Sequence, residues 1–98
     1  MDNVILRQKV LFFSQKALVG NITSNMILIS IKWSETSYHI RLFINTIPTD
    51  DDFEILSEIT TEICADLPLI INCKEEVFKW EKDNSELLDE TIFLIRNY

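Results

Sequence analysis

Glycine occurs once in this 98-residue chain, proline twice and histidine once. So little glycine leaves no loop able to cradle a phosphate through its backbone, and it argues against loop-rich, repeat or collagen-like architectures. The two cysteines, Cys64 and Cys73, form neither a CxxC nor a Cys/His array. Nothing therefore has the spacing of a zinc site, and both read first as small buried residues, with no disulfide demanded. No apolar run approaches the ~20 residues that span a bilayer. The opening MDNVILRQKVLFF is interrupted by Arg7, Gln8 and Lys9 and leads to no clean small-residue cleavage site, so no signal peptide is expected. The expectation is a soluble, cytoplasmic protein forming a single domain over residues 1–98.

Basic charge is absent where acid is densest. Between Arg41 and Lys74 stand Asp50, Asp51, Asp52, Glu54, Glu58, Glu62 and Asp66, and no lysine or arginine. Residues 1–46 hold five bases and two acids (+3), whereas residues 47–98 hold four bases and fourteen acids (−10), which sum to the net −7. The second half repels nucleic acid and anionic membrane, and it attracts a basic partner and speeds its encounter. Solubility is the simpler use of such a face. Hydrophobic residues make up 47% of the chain and are spread along it, so a folded core is expected rather than disorder.

The apolar pattern changes period along the chain. Residues 4–19 read as a helix, with Val4, Leu11 and Leu18 seven apart, Leu6, Val10, Phe13 and Ala17 beside them, and Arg7, Gln8, Ser14 and Gln15 outward. Gly20–Asn21 stops it. From Met26 the period is two: Ile27, Ile29, Ile31 and Trp33 share a face, the polar turn Ser34–Ser37 follows, and Tyr38, Ile40, Leu42 and Ile44 line the next strand. Thr49 N-caps a second helix, with Asp52 placed to reach back to it and Asp50 to Asp52 at the positive end of the dipole. Phe53, Leu56, Ile59, Ile63 and Leu67 form its core stripe, and Pro68 ends it. Leu69 to about Trp80 is β-like, Asp83 to Asp89 a polar loop, and Thr91 to Arg96 a last strand. The order α-β-β-α-β-β predicts an α+β fold, two helices packed on one face of a mostly antiparallel four-stranded sheet, with the strand order open.

Machinery for chemistry is sparse. His39 lies on the outer face of its strand beside Arg41, with no nucleophile identifiable nearby. Consecutive aspartates at a helix start point roughly 100° apart and do not converge as a Ca²⁺ loop's ligands do, so no metal and no cofactor is expected. Negative neighbours, Glu62 and Asp66, argue against a thiolate at Cys64. Trp33, Phe43, Phe78 and Trp80 lack the positive flanks of a base-stacking sheet, since Glu75, Glu76 and Glu81 surround the second pair.

Glu54, Glu58, Glu62 and Asp66 are harder to explain. Like charges at i,i+4 destabilise a helix by about 0.2–0.5 kcal/mol per pair, so three pairs cost on the order of 1 kcal/mol. Asp66 also sits at the negative end of the dipole. Either a basic partner supplies the missing countercharge, or Arg41, Lys74 or another base of the chain folds over the stripe; the first reading is preferred.

The segment ALVGNITSNMILISIKW (Ala17–Trp33) and the later PTDDDFEILSEITTEICADLP (Pro48–Pro68) resemble small bacterial proteins. Those have an "AL-x-G-x-(V/I)-T-x-N" junction into a strand and a helix ending "E-(V/I)-x-A-D-(F/L)-P". They look like immunity proteins of contact-dependent growth inhibition and related polymorphic toxin systems. The resemblance covers about two thirds of the chain and rests on structural junctions. It implies a non-enzymatic protein that binds and neutralises a cognate toxin, often a nuclease with a basic surface. The expected contact residues are Asp51, Glu54, Glu58, Glu62 and Asp66, then Glu75, Glu76, Glu81, Asp50 and Asp52. An exposed sheet edge could equally receive a toxin strand. The alternative from another class is an oligomeric adaptor or structural protein assembling through its sheet edges; an enzyme built around His39 and Arg41 comes third.

Overall fold

The computed structural model describes residues 3–95. Its elements follow the order α1 (Asn3–Leu18), β1 (Met26–Trp33), β2 (Ser37–Ile44), α2 (Asp50–Ala65), β3 (Asn72–Lys79) and β4 (Glu90–Leu94). The strands form one sheet in the order β3-β2-β1-β4. β1 pairs antiparallel with β2 and with β4, while β2 and β3 are parallel. The architecture is thus α+β, mostly antiparallel with one parallel pair. A parallel neighbour requires a crossover, and α2 is that crossover.

Both helices pack on the same face. Leu6, Val10, Ala17 and Leu18 of α1 and Leu56, Ile59 and Ile63 of α2 share one cluster with Ile29, Ile31, Tyr38, Ile40, Leu42 and Ile44. α1 ends as expected: Gly20 takes φ 81°, a left-handed conformation open to glycine, and the Asn21 side chain donates to Ala17 O at 2.7 Å.

Four residues depart from the expected pattern. Ser14 is fully buried rather than outward, because its hydroxyl pairs with the Tyr38 hydroxyl at 2.8 Å across the core. Burial pushes the Tyr38 phenol well above its usual range, an effect the Ser14 bond opposes without cancelling. Val4 and Phe53 are 62% and 44% exposed, so neither belongs to its core stripe. Phe53 lies about 60° round the helix from Leu56, at the rim of the stripe. Ile27 leaves its row because a bulge between Met26 and Leu28 shifts the register; it joins Leu28 and Phe43 in a second cluster, against Trp80. The last strand runs Glu90–Leu94, and Arg96, its expected end, lies outside the described residues.

The helix-free face is not bare. The segment between β3 and β4 must travel from one sheet edge to the other, and it does so across this face. Leu88 N–H donates to the buried Ser30 hydroxyl at 3.1 Å, and Arg41 Nη1 donates to Glu86 O at 2.8 Å. Phe43 is boxed in there by Phe78 and Trp80, ring centroids 5.9 and 5.6 Å away. Phe43 and Trp80 therefore pack, while Phe78 remains 42% exposed.

Candidate functional site

The seven acids between Pro48 and Pro68 separate by what they touch. Asp52 is engaged on every side. Its Oδ2 accepts from Thr49 N–H at 2.9 Å and from the Thr49 hydroxyl at 3.0 Å, and its Oδ1 accepts from Asn25 Nδ2 at 3.0 Å. Burial raises the Asp52 pKa, but the bonds from the Thr49 backbone, Asn25 and the Thr49 hydroxyl outweigh it and hold the carboxyl below its usual range. Asn25 is in turn the acceptor of the Thr23 hydroxyl, and its own carbonyl accepts Asn45 N–H at 3.0 Å. The Thr23–Ser24–Asn25 junction is therefore a clasp between the start of β1 and the start of α2. Asp50 and Asp51 are exposed on the same first turn.

Glu54, Glu58 and Glu62 are exposed on α2. Among the described residues no cation stands within ion-pair distance of any of them. Residues four apart drift by about 40° round a helix, so the stripe turns as it climbs. By Asp66 it has reached α1, and Lys16 Nζ lies 3.6 Å from Asp66 Oδ2. That exposed, loose pair partly answers the unfavourable acid at this C-cap position. The base that folds over the stripe is thus neither Arg41 nor Lys74 but Lys16, and it reaches only the last carboxylate. A shallow cleft between the helices, lined by Lys16, Ala17, Val19, Glu62, Ala65 and Asp66, marks the place.

The three glutamates near β3 occupy different settings. Glu75 faces α2 and accepts the Ser57 hydroxyl at 2.8 Å. Glu76 points to the helix-free face, where Arg41 Nε donates to it at 2.8 Å and His39 Nε2 meets the same oxygen. Burial raises the Glu76 pKa, yet the bonds and charges of Arg41 and His39 outweigh it and bring it below its usual range. Glu76 therefore already has its countercharge inside the fold. Glu81 is exposed at the start of the loop that crosses this face. The acids so distributed do not form one site: Glu54, Glu58 and Glu62 share the outer side of α2, Asp66 has turned to α1, Glu75 lies at the β3 flank, and Glu76 and Glu81 are across the sheet.

The members of the His39–Glu76–Arg41 cluster bind one another; Arg41 also lines a shallow cleft with Phe43, Phe78 and Glu86, and His39 another with Ser37 and Cys73. Among the described residues no group of histidine, cysteine and carboxylate side chains is placed to hold a metal ion. No described helix is long and apolar enough to cross a membrane. What sequence reasoning missed were the bonds of Asn25 to Asp52 and Lys16 to Asp66, since each joins residues far apart in the chain and no local spacing announces it.

Comparison with known proteins supplies the rest. The MafI2 immunity protein family matches residues 7–97. No curated sequence matches the chain. Among solved structures, a double variant of the MamM CTD is similar over 92% of this chain and 99% of that one, with a TM-score of 0.50 at 9% identity. A copper form of the MamM CTD covers 87% and 93%, with a TM-score of 0.47 at 8% identity. Identities this low concern the fold alone.

Proposed function

The chain belongs to the MafI2 immunity protein family, and on that premise we propose that it binds and neutralises a cognate toxin through the outer side of α2. The observation that carries the surface assignment is the row Glu54, Glu58 and Glu62, exposed and without a cation among the described residues. An acidic row on a helix that has no base fits a partner whose surface is basic, such as a nuclease whose active site binds phosphates. Carboxylates then stand in for substrate phosphates and form charge-assisted, bidentate pairs with arginine. Asp51 and Asp66 extend the row at its two ends, Asp66 by releasing Lys16. Glu75 and Glu81 are peripheral to it, and Glu76 stays with Arg41 and His39. The protein acts without catalysis and without a cofactor, in the cytoplasm of the cell it protects.

Assembly through sheet edges is the less supported reading. The outer strand β3 carries Lys74, Glu75, Glu76 and Lys79 within eight residues, and charge on an edge strand opposes strand-to-strand addition.

Co-expression with the toxin encoded beside it tests the function, with protection of the cells as the expected result; unprotected cells would overturn the immunity reading. The surface has its own test. Glu58→Lys with Glu62→Lys should weaken toxin binding on the order of 100-fold, mostly where salt is low, while leaving the fold intact. Unchanged affinity in that variant would move the interface elsewhere and leave the function standing.

A further inference from the structure

Eight residues separate Cys64, in the last turn of α2, from Cys73, the second residue of β3, and the fold turns that interval back on itself. Along β3 the residues Cys73, Glu75 and Val77 point to the helix side, Cys73 in register with the buried Tyr38 and Val77 with Leu42. Along α2, Ser57 and Cys64 are seven apart and so lie on the same flank. The Ser57–Glu75 bond of 2.8 Å fixes that flank over β3. One step further along both elements, the same flank sets Cys64 beside Cys73. Both are free; Cys73 is exposed and Cys64 half-buried behind it.

From this placement we infer that Cys64 and Cys73 form a reversible oxidation site, closing to an internal disulfide when a small-molecule disulfide such as oxidised glutathione is the oxidant. Cys73 is the entry point because solvent reaches it. Burial and the neighbouring Cys73 push the Cys64 thiol up to about 12, which makes Cys64 the poorer first nucleophile. The Cys73 sulfur attacks one sulfur of oxidised glutathione, a mixed disulfide forms, and one glutathione leaves as its thiol. The Cys64 sulfur then attacks the Cys73 sulfur and the second glutathione leaves. Two electrons pass from the protein to the oxidant, and the two thiol protons end on the two glutathiones. The bond would staple the end of the acidic helix to the edge strand and close the connection between them, residues 65–72. It needs no toxin and stands or falls apart from the reading above.

The test uses the full chain under native conditions with oxidised glutathione, followed by intact mass and peptide mapping. The expected product is a monomer lighter by two hydrogens, free of glutathione, with Cys64 and Cys73 in one linked peptide pair. It should form several-fold faster than in urea, because the fold brings the thiols together. Cys64→Ser should instead retain one glutathione on Cys73; Cys64→Ala is the substitute if serine unfolds the chain. Wild-type protein that does not react, that stops at a glutathione adduct, that links Cys73 to Cys73 between molecules, or that closes no faster when folded would overturn the inference.

Discussion

Glu76 and Glu58 are both glutamates in regular elements, yet they stand at opposite ends of what a carboxylate can do for a protein. Glu76 is held by Arg41 and His39 on a face that the 80–89 loop covers, and its charge is used up inside the fold. Glu58 projects from α2 between Glu54 and Glu62, four residues on either side, with no described cation within ion-pair distance. Asp52 belongs with Glu76, since Thr49 and Asn25 occupy both its oxygens. The lesson is that acid content alone is a poor guide to a binding surface. Fourteen acids lie in the second half of the chain, but only those with no internal use have a reason to await a partner.

That comparison is broken most directly by binding. If the outer side of α2 is the interface, Glu58→Lys with Glu62→Lys costs about 3 kcal/mol of toxin affinity, the equivalent of the 100-fold loss above. Glu76→Gln should leave the affinity within a factor of about two, because its charge is internal. An equal loss in both variants, read by calorimetry against the toxin, would erase the distinction.

Stability should respond in the opposite sense. Glu76→Gln removes the charge that Arg41 and His39 share, and should destabilise the fold by about 2 kcal/mol, lowering Tm by roughly 10 °C. The same group gives an acid limb. Folded-state pKa values of Glu76 and Asp52 lie below their ordinary ones, so their contribution is complete above the unfolded carboxyl range and disappears as pH falls through the folded values. Denaturant midpoints should therefore hold steady above about pH 5 and drop below about pH 4, less steeply in Glu76→Gln. Asp52→Ala should cost about 1 kcal/mol, the usual loss for a helix-start contact of this kind, and should also loosen the Asn25 junction. Its readout is the denaturant midpoint, together with faster amide exchange at Asn45.

Much of this was legible beforehand, for physical reasons that can be named. The α-β-β-α-β-β order followed from the switch between periods of 3.6 and 2, and the ends of the helices followed from Gly20, Thr49 and Pro68, whose effects are local. What is set by distance in space was not legible. Ser14 looks like a surface residue on a helical wheel, because its partner Tyr38 is 24 residues away. Ile27 fits a perfect alternation that a bulge then breaks. Glu76 resembled the other acids until β2 and β3 proved parallel neighbours, which puts it beside Arg41. The stripe on α2 was visible because i,i+4 spacing is itself local; the drift that delivers Asp66 to Lys16 needed α1 in place.

The last expected effect has the opposite sign, and it is the sharpest discriminator. Glu58 repels both Glu54 and Glu62, so Glu58→Lys replaces two unfavourable i,i+4 pairs with two favourable ones. With each like pair unfavourable by about 0.2–0.5 kcal/mol and each opposite pair favourable by a similar amount, the variant should gain roughly 1 kcal/mol of stability. Urea unfolding at low ionic strength would show it, and the gain should shrink as salt is added. A residue whose replacement improves the fold is one that the fold itself does not need. Were Glu58→Lys to destabilise the protein instead, the glutamate would have an internal role after all, and it would move to the side of Glu76.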